Sequence, residues 1–288
     1  MKVAEEQTIR QIKKQIAKDL TSLYNLAETQ QLASLLIEHI CKLNKAEQAI
    51  QATQTLSKKQ QNSIFKALAK LKNAVPIQYV IGETEFYSRT FFVANGVLIP
   101  RPETEELVNF VLNHLPENKS LNILDIGTGS GAIAISLSLE IPDANIYASD
   151  FSEKALQLAK RNANALKADV NFIKHDIFTD STYLPQNLDI IISNPPYVRE
   201  SEKSQMHDNV LLHEPNSALF VEDENALVFY SRIAKIARNH LSPNGQIFCE
   251  INEALAEQTK KCFVLSGFGN IFVYKDINNK DRIIHIEH

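Results

Sequence analysis

Five consecutive residues, Ser193-Asn194-Pro195-Pro196-Tyr197, have types and a spacing that could carry chemistry. They follow a mostly apolar run at 188–192, which is typical of a buried strand. Two successive prolines cannot continue a strand, so the chain must leave the sheet at Asn194. The sequence therefore predicts a rigid corner, carrying an amide and a phenol, at the carboxyl end of a strand, where ligands bind in open α/β sheets.

Such a corner could hold a planar nitrogen for methyl transfer. The lone pair of an amide or aromatic amine is delocalised and is a poor nucleophile. The Asn194 side-chain oxygen and the Pro195 carbonyl could accept its two N–H bonds and turn the lone pair toward a methyl donor, and orientation of this kind removes about 7–11 kcal/mol of barrier. We predict Asn194 and Pro195 as catalytic and Asn194, Pro195, Pro196 and Tyr197 as substrate-binding residues. A simple Asn-Pro strand end is the alternative explanation.

A glycine-rich loop, Gly127-Thr128-Gly129-Ser130-Gly131, lies between a predicted strand and a predicted helix. Glycine permits a tight turn and lets a ligand lie against bare backbone, with amide N–H groups facing it. Asp150 ends the next predicted strand, where an acid can accept both hydroxyls of a ribose. Together these features predict a site for a nucleoside-containing cofactor, with Gly127, Thr128, Gly129, Ser130, Gly131 and Asp150 as binding residues.

Two cofactors fit these residues. The loop with Ala132 satisfies the dinucleotide fingerprint G-x-G-x-x-[G/A], and from Asp125 onward it equally satisfies D-x-G-x-G-x-G, the form seen in class I methyltransferases that use S-adenosylmethionine. Asp125 favours the second, because a methionine tail carries an ammonium group, although this acid could also only brace the turn. Asp176 and Ile177 could bind the exocyclic amine and the face of adenine, with a turn cap as an equal explanation of Asp176.

The elements that must position these residues alternate between helix and strand from residue 101 onward. Predicted strands are 121–126, 145–150, 170–174, 188–193, 245–251, 271–275 and 282–287; predicted helices are 103–115, 131–140, 153–167, 224–241 and 253–265, with a long loop at 194–223. Repeated βα units predict a mostly parallel, doubly wound sheet, and the short last connection predicts an antiparallel final strand. The predicted fold class is α/β, a Rossmann-like class I methyltransferase fold with a seven-stranded mostly parallel sheet and a small N-terminal all-helical domain.

The N-terminal region differs from the rest in pattern. Residues 1–75 contain neither glycine nor proline, and their apolar residues recur at steps of three and four, which predicts a helical bundle. It carries no chemical motif, so substrate docking is its predicted role. Residues 76–100, with period-two alternation and the Asn95-Gly96 turn signal, form a predicted β-hairpin linker, and 101–288 the predicted methyltransferase domain.

Charge and composition exclude several classes of function. Residues 1–75 hold 12 Lys and Arg against 6 Asp and Glu, a balance of +6, whereas the remainder holds 18 against 28, a balance of −10. The larger part therefore lacks the basic surface of a nucleic-acid groove. Three cysteines without a C-x-x-C pair indicate neither disulfides nor a metal site. With no apolar leader and no run near the roughly 18 residues needed to cross a bilayer, we expect a cytoplasmic protein without membrane contact.

Three segments together resemble the HemK/PrmC family, the protein N5-glutamine methyltransferases that act on peptide chain release factors. They are Leu124–Gly131, Ser193–Tyr197 and Val97–Glu105, the last being similar to the family's L-I-P-R-P-E-T-E. The resemblance spans about residues 76–288 and includes Glu214-Pro215, while the N-terminal helices match only in kind. The chain departs from the family at 220–223, where a glycine pair is usual, and at Asn252, where Glu-Ile-Gly is usual.

The resemblance implies S-adenosylmethionine as cofactor, S-adenosylhomocysteine as product, no metal, and release factors as protein partners. It implies that the cofactor lies on loop 127–131, its ribose on Asp150 and its adenine beside Asp176 and Ile177, with Asn194 near both cofactor and substrate. Asn194–Tyr197 would hold the glutamine of the Gly-Gly-Gln motif. Arg101 could pair with Glu103 or Glu105 at a helix start or lie at the pocket rim.

Three other functions remain open. One is a non-enzymatic adaptor that binds release factor without turnover, against which the intact glycine loop argues. N6-adenine nucleic-acid methyltransferases also use N-P-P-Y, but the acidic balance of the larger part argues against a nucleic-acid substrate. An NAD-dependent oxidoreductase would use the glycine loop and would leave Asn-Pro-Pro-Tyr unexplained.

Overall fold

The computed structural model of the protein describes residues 6–116 and 120–287. The chain forms two compact units: one runs up to Gly82 and takes in His207–His213, and the other comprises Glu83–Met206 and the residues from Glu214 onward. Each unit has a buried apolar core of its own. Among the described residues, no helix combines the length and the apolar character that a membrane span requires.

The first unit is helical, as its apolar spacing predicts. Its helices are α1 (Ile9–Leu20), α2 (Leu26–Cys41), α3 (Lys45–Ile50), α4 (Lys58–Leu71) and α5 (Ile77–Ile81), together with the short helix Asp208–His213. Four of them begin at a polar side chain that accepts a backbone N–H, namely Thr8, Asn25, Asn44 and Ser57, which stabilises a helix start. Pro76 is the N-cap of α5.

A two-stranded hairpin, β1 (Glu83–Phe86) with β2 (Arg89–Phe92), opens the second unit. Its turn is at Tyr87 and Ser88, whose φ angles are +50° and +57°, the combination of a type I′ turn. The hairpin is therefore present as predicted, but the Asn95-Gly96 signal does not form its turn.

A seven-stranded sheet is the centre of the second unit, which confirms the predicted fold class. Its strands are β3 (Asn122–Ile126), β4 (Asn145–Asp150), β5 (Asn171–Lys174), β6 (Leu188–Ser193), β9 (Leu241–Glu250), β10 (Asn270–Lys275) and β11 (Asp281–Glu287), in the order β10-β11-β9-β6-β3-β4-β5. The five strands β5, β4, β3, β6 and β9 are parallel to one another. Strand β11 runs antiparallel to both of its neighbours, β9 and β10, as predicted. The strand order reverses beside β3, so the loops after β3 and β6 open where ligand sites form.

Helices cover both faces of the sheet. They are α6 (Pro102–Leu112), α7 (Ala132–Glu140), α8 (Glu153–Leu166), α11 (Val228–His240) and α12 (Ala256–Leu265). Side chains alternate between the faces along a strand: Ile190 and Ile192 join the core formed with α6, α7 and α8, and Ile191 joins the core formed with α11 and α12. This doubly covered sheet explains why β6 is apolar at four of its six positions, including three in succession.

The segment predicted as a long loop, 194–223, contains several short elements. They are β7 (Val198–Arg199), a 3-10 turn at Glu200–Gln205, α9 (Asp208–His213), α10 (Asn216–Leu219) and β8 (Phe220–Val221), and β7 pairs with β8 in parallel. Elements of two to six residues are too short for a periodic pattern to reveal. Phe220 and Val221, where the family usually has a glycine pair, are buried apolar residues of β8.

Candidate active site

A cavity of about 340 Å³ opens at the carboxyl edge of the sheet. Its wall is formed by the glycine loop after β3, by the residues that follow β4, β5 and β6, and by segments before α6 and around α10. Ten of the residues predicted from the sequence line it: Gly127, Thr128, Gly129, Ser130, Asp150, Asp176, Ile177, Asn194, Pro195 and Pro196. Gly131 and Tyr197 lie in the part of the chain that the structure describes, but they do not line this cavity.

The glycine loop is held by its backbone conformation and by hydrogen bonds to β4. Gly127 and Gly129 have φ angles of +77° and +56°, which glycine adopts at little cost. The N–H groups of Gly127 and Thr128 donate to the Ser149 carbonyl at 2.8 and 3.0 Å, and the Gly129 N–H donates to Asp150 Oδ2 at 2.9 Å. We expected these groups to face a ligand; three of them instead tie the loop to β4.

Open space lies beside Gly127, because a Cβ added there would meet no atom within 4 Å. Gly131 is different: with φ at +83°, its Cβ would lie 2.8 Å from Ile135 Cδ1 and 3.1 Å from Ala159 Cβ. The missing side chain at Gly131 thus lets α7 approach α8, and the predicted cofactor contact of this residue stays a prediction.

A buried carboxyl group supports the glycine loop. Asp125 is 1% exposed, and its Oδ2 accepts a hydrogen bond of 2.6 Å from the Thr128 hydroxyl. Burial raises the pKa of Asp125 to about 7, against the hydrogen bond from Thr128, which lowers it. Asp125 therefore braces the turn, the second of the two roles that its position allows.

Asp150 connects the loop to the end of β4. Its Oδ2 accepts from the Gly129 N–H at 2.9 Å and its Oδ1 from the Ser152 N–H at 2.8 Å. Burial raises the pKa of Asp150, and the backbone hydrogen bonds offset part of that effect. Because a carboxylate has four lone pairs and backbone N–H groups of Gly129, Phe151 and Ser152 use at most three of them, the side chain keeps an acceptor position for a ligand hydroxyl.

Asp176 is both a turn cap and a residue of the cavity wall, the two roles that its sequence context allows. The side chain is exposed, and its Oδ1 accepts the Phe178 N–H at 2.9 Å, which is a turn cap. Asp176 and Ile177 also line the cavity. Arg232 holds this segment, since its Nε donates to the Ile177 carbonyl at 2.9 Å.

The Asn-Pro-Pro-Tyr corner begins where β6 ends. The Ser193 hydroxyl donates to the Ile126 carbonyl at 2.7 Å, which ties the end of β6 to the end of β3. Asn194 Nδ2 donates to the Thr104 hydroxyl oxygen at 2.9 Å. Asn194 and Pro195 thus lie on the same cavity wall as the glycine loop.

The Tyr197 hydroxyl is engaged with a buried acid. It donates to Glu250 Oε1 at 2.7 Å, and the Thr104 hydroxyl donates to Glu250 Oε2 at 2.8 Å. Burial and the neighbouring Glu250 carboxyl raise the pKa of Tyr197 well above its usual value, so the phenol keeps its proton. The predicted substrate contact of Tyr197 stays a prediction.

Thr104 and Glu250 are site residues that the sequence interpretation missed. Both lie in segments compared with the family, Val97–Glu105 and 250–252, but neither segment shows that the two side chains meet. The signal that could have indicated Glu250 is an acidic residue at the end of a predicted buried strand. In the structure its side chain is 1% exposed.

Arg101 lies at the cavity rim, and its ion-pair partner was not predicted. Its Nη2 lies 2.6 Å from Glu214 Oε1, and Glu214 Oε2 accepts the Ile99 N–H at 3.1 Å. The rim position is therefore correct, whereas pairing with Glu103 or Glu105 is wrong. Glu214 holds the start of α10 against the segment before α6.

Metal-ligating geometry is not found within residues 6–116 and 120–287: no group of three or more His, Cys, Asp or Glu residues could hold a metal ion.

Comparison with known proteins assigns the chain to a family. The family described as "Methyltransferase small domain" matches residues 103–279, and that described as "PrmC N-terminal domain" matches residues 11–82. A release factor glutamine methyltransferase of Flavobacterium psychrophilum is 40% identical over 281 residues, covering 96% of this chain and 98% of that protein. The chain belongs to the release factor glutamine methyltransferase family.

Further members of this family agree. A release factor glutamine methyltransferase of Bacteroides thetaiotaomicron is 46% identical over 229 residues, covering 80% of this chain and 82% of that protein. Among solved structures, a methyltransferase from Pyrococcus furiosus superposes with a TM-score of 0.52 at 15% identity, covering 80% of this chain and 98% of that chain. That likeness concerns the fold alone.

Proposed function

We propose that the protein transfers a methyl group from S-adenosylmethionine to the side-chain amide nitrogen (N5) of the glutamine in the Gly-Gly-Gln motif of peptide chain release factors. The observation that carries this proposal is one cavity lined by Asn194 and Pro195, by the glycine loop and by Asp150, in a chain of this family. S-adenosylhomocysteine would be the second product, and release factors the protein partners.

The residues around the cavity fit S-adenosylmethionine. Open space beside Gly127 accommodates a ligand against the backbone, and the Asp150 carboxylate keeps an acceptor position for a ribose hydroxyl. Asp176 and the apolar Ile177 lie on the same wall and suit the amine and the face of adenine. When bound there, this cofactor would supply an electrophilic methyl group on a positively charged sulfur.

The protein's own residues would prepare the substrate nitrogen. Asn194 Oδ1 and the Pro195 carbonyl would each accept one N–H of the glutamine amide, which turns the nitrogen lone pair out of conjugation. The prolines restrict the backbone here, so these acceptors need little reorganisation. Transfer would form a bond between the amide nitrogen and the methyl carbon as the bond from that carbon to sulfur breaks, with S-adenosylhomocysteine as the leaving group. The nitrogen would then release one proton to solvent, leaving a secondary amide.

The helical N-terminal part would dock the release factor in the cytoplasm. In this proposal residues 1–75 dock the substrate, residues 76–100 link the two parts of the chain, and residues 101–288 carry out methyl transfer. Support comes from the net charge of +6 in residues 1–75 and from the lack of any chemical motif there. The nucleic-acid alternative is not favoured, because the relatives are named release factor glutamine methyltransferases.

The proposal is tested by incubating the protein with methyl-labelled S-adenosylmethionine and purified release factors. We expect label in the release factor, one methyl group on the motif glutamine by mass spectrometry, and none when that glutamine is replaced by alanine. Label in DNA or RNA but not in the release factor would overturn the proposal in favour of the nucleic-acid alternative.

Asn194→Ala separates chemistry from cofactor binding. We expect kcat to fall by about 10²–10³-fold, because a transition-state hydrogen bond is lost, while binding of S-adenosylhomocysteine changes by less than about threefold. Asn145→Ala is the matched control, since Asn145 lies at the amino end of β4, away from the cavity. Unchanged turnover by Asn194→Ala would contradict the role of the corner.

A further inference from the structure

Behind the cavity wall, four side chains form an unbroken chain of hydrogen bonds. Tyr197 OH donates to Glu250 Oε1 at 2.7 Å, Thr104 Oγ1 donates to Glu250 Oε2 at 2.8 Å, and Asn194 Nδ2 donates to Thr104 Oγ1 at 2.9 Å. Only Asn194 and Thr104 line the cavity; Glu250 is 1% exposed and lies at the end of β9.

The directions of these hydrogen bonds follow from the number of protons available. Glu250 accepts from both hydroxyls, one at each oxygen, which is the arrangement of an ionised carboxylate. Burial raises the pKa of Glu250, and the hydrogen bonds from Tyr197 and Thr104 and the nearby charge of Arg282 offset part of that rise. A threonine hydroxyl has a single proton, so once Thr104 donates to Glu250 it can only accept from Asn194.

This direction determines which end of the Asn194 amide is available. Because one N–H of the NH₂ group donates to Thr104, the amide nitrogen is fixed on the Thr104 side and Oδ1 lies on the opposite side of the amide. Among the described residues, no hydrogen bond to Oδ1 is found, whereas Nδ2 donates to Thr104 Oγ1. With the amide reversed, a donor would meet the donor N–H of the substrate.

We propose that Thr104, Glu250 and Tyr197 act as a positioning relay, which holds the Asn194 amide with its oxygen toward the substrate nitrogen. The relay rests on the proposed function, since it matters only if that oxygen accepts a substrate N–H. None of the three touches the reacting atoms in this role; each acts through Asn194. Because each Glu250 oxygen accepts a hydroxyl proton, the Thr104 proton points toward Glu250 and the orientation of the Asn194 amide is fixed in one direction.

Isosteric variants test the relay directly. Thr104→Val removes the hydroxyl, and Glu250→Gln introduces an NH₂ that can donate to Thr104 and so allow the reversed amide. We expect each to lower kcat by about 10–100-fold, with KM for the release factor and affinity for S-adenosylhomocysteine changed by less than about threefold. Thr104→Ser, which keeps the hydroxyl, should recover most of the lost kcat.

A structural defect is distinguished by two further variants. Thr259→Val removes another buried hydroxyl, which donates to the Leu255 carbonyl at 2.9 Å on α12, and it should lose comparable stability with kcat within about twofold of wild type. In an Asn194→Ala background, Thr104→Val should lower kcat by less than about twofold, because no amide remains to be oriented.

Tyr197→Phe covers the case in which Thr104→Val fails to fold. It removes one of the two donors to Glu250, leaves the Thr104–Asn194 bond in place, and should reduce kcat by about 3–10-fold.

The wild-type protein is assayed in parallel. Absence of methyl transfer by the wild type would overturn the proposed function and the relay with it. Normal transfer by the wild type, with Thr104→Val and Glu250→Gln within twofold of its kcat or with equal losses in the Asn194→Ala background, would overturn the relay alone.

Discussion

Two corners meet at the carboxyl edge of the sheet, and each rests on a buried carboxyl group that accepts a threonine hydroxyl. In the glycine corner, Thr128 donates to Asp125, three residues away. In the Asn-Pro-Pro-Tyr corner, Thr104 donates to Glu250, 146 residues away, and Asn194 reaches Thr104 across 90 residues. The first corner is supported locally and the second by distant parts of the chain.

The difference teaches where rigidity comes from in such a site. The glycine loop depends on backbone conformation, so its shape is encoded in the residues that form it. The prolines restrict only the main chain of the second corner, and the orientation of the Asn194 side chain depends on α6 and β9. Substitutions should therefore affect the two corners in different ways.

The largest expected effect is that of Gly131→Ala, which tests the backbone dependence of the glycine corner. We expect a loss of about 2–5 kcal/mol in the free energy of unfolding, from a left-handed φ and an overpacked contact with Ile135 and Ala159. Gly127→Ala, with open space beside it, should cost only the backbone term of about 1–2 kcal/mol. Urea unfolding monitored by circular dichroism measures both. Equal losses would contradict the packing explanation.

Asp150→Ala tests whether cofactor binding depends on the glycine corner. We expect the affinity for S-adenosylhomocysteine to fall by about 10–150-fold, since hydrogen bonds to a charged group contribute about 1.5–3 kcal/mol. Asp176→Ala, at an exposed side chain, should lower it less. Isothermal titration calorimetry is the measurement, and undiminished affinity in Asp150→Ala would show that the ribose is held elsewhere.

Asp125→Asn tests the buried acid of the glycine corner through pH. The pKa of Asp125 is about 7 in the folded protein, above its usual value of about 3.9. The folded state therefore binds the proton more tightly, and this stabilisation is present at low pH and is lost as the pH rises toward 7. From pH 5 to pH 8, the unfolding free energy of Asp125→Asn should gain about 1–3 kcal/mol relative to wild type. A difference that does not vary with pH would argue against a titrating Asp125.

The smallest expected effect concerns Asn252, where this chain departs from the family's glycine. Asn252 Nδ2 donates to the Tyr197 carbonyl at 3.1 Å and to Glu202 Oε2 at 2.9 Å. Asn252→Gly should cost about 1 kcal/mol of stability and lower kcat by less than about fivefold. Asn252 Oδ1 also accepts the Ala254 N–H at 2.9 Å, which caps the turn at 253–255. Asn252→Ser retains an acceptor for this N–H and so separates the cap from the two donated hydrogen bonds. Thermal unfolding and turnover check both variants, and a loss as large as that of Thr104→Val would place Asn252 within the relay.

The same contrast explains what the sequence could predict. The order of helices and strands, the antiparallel final strand and ten of the cavity-lining residues followed from local pattern and motif. Glu250 did not, because a buried acid is recognised only when its partners Tyr197 and Thr104 are known. The Arg101–Glu214 pair was missed for the same reason, since these residues are separated by 113 positions.

Short elements and backbone hydrogen bonds were the second kind of feature that could not be predicted from the sequence. The segment 194–223 has no element longer than six residues, too few for a period to emerge. The N–H groups of Gly127 and Thr128 were expected to face a ligand, and only the tertiary structure shows that the Ser149 carbonyl accepts both.

The position of β11 has a consequence for biosynthesis. This strand follows all others of the sheet in sequence, yet it lies between β9 and β10 and pairs with both. While a ribosome is still making β11, β9 has an open edge and β10 has no neighbour in the sheet. Closure of the sheet must therefore wait until β11 has emerged, and the open edge of β9 is the site where a nascent chain is exposed to mispairing.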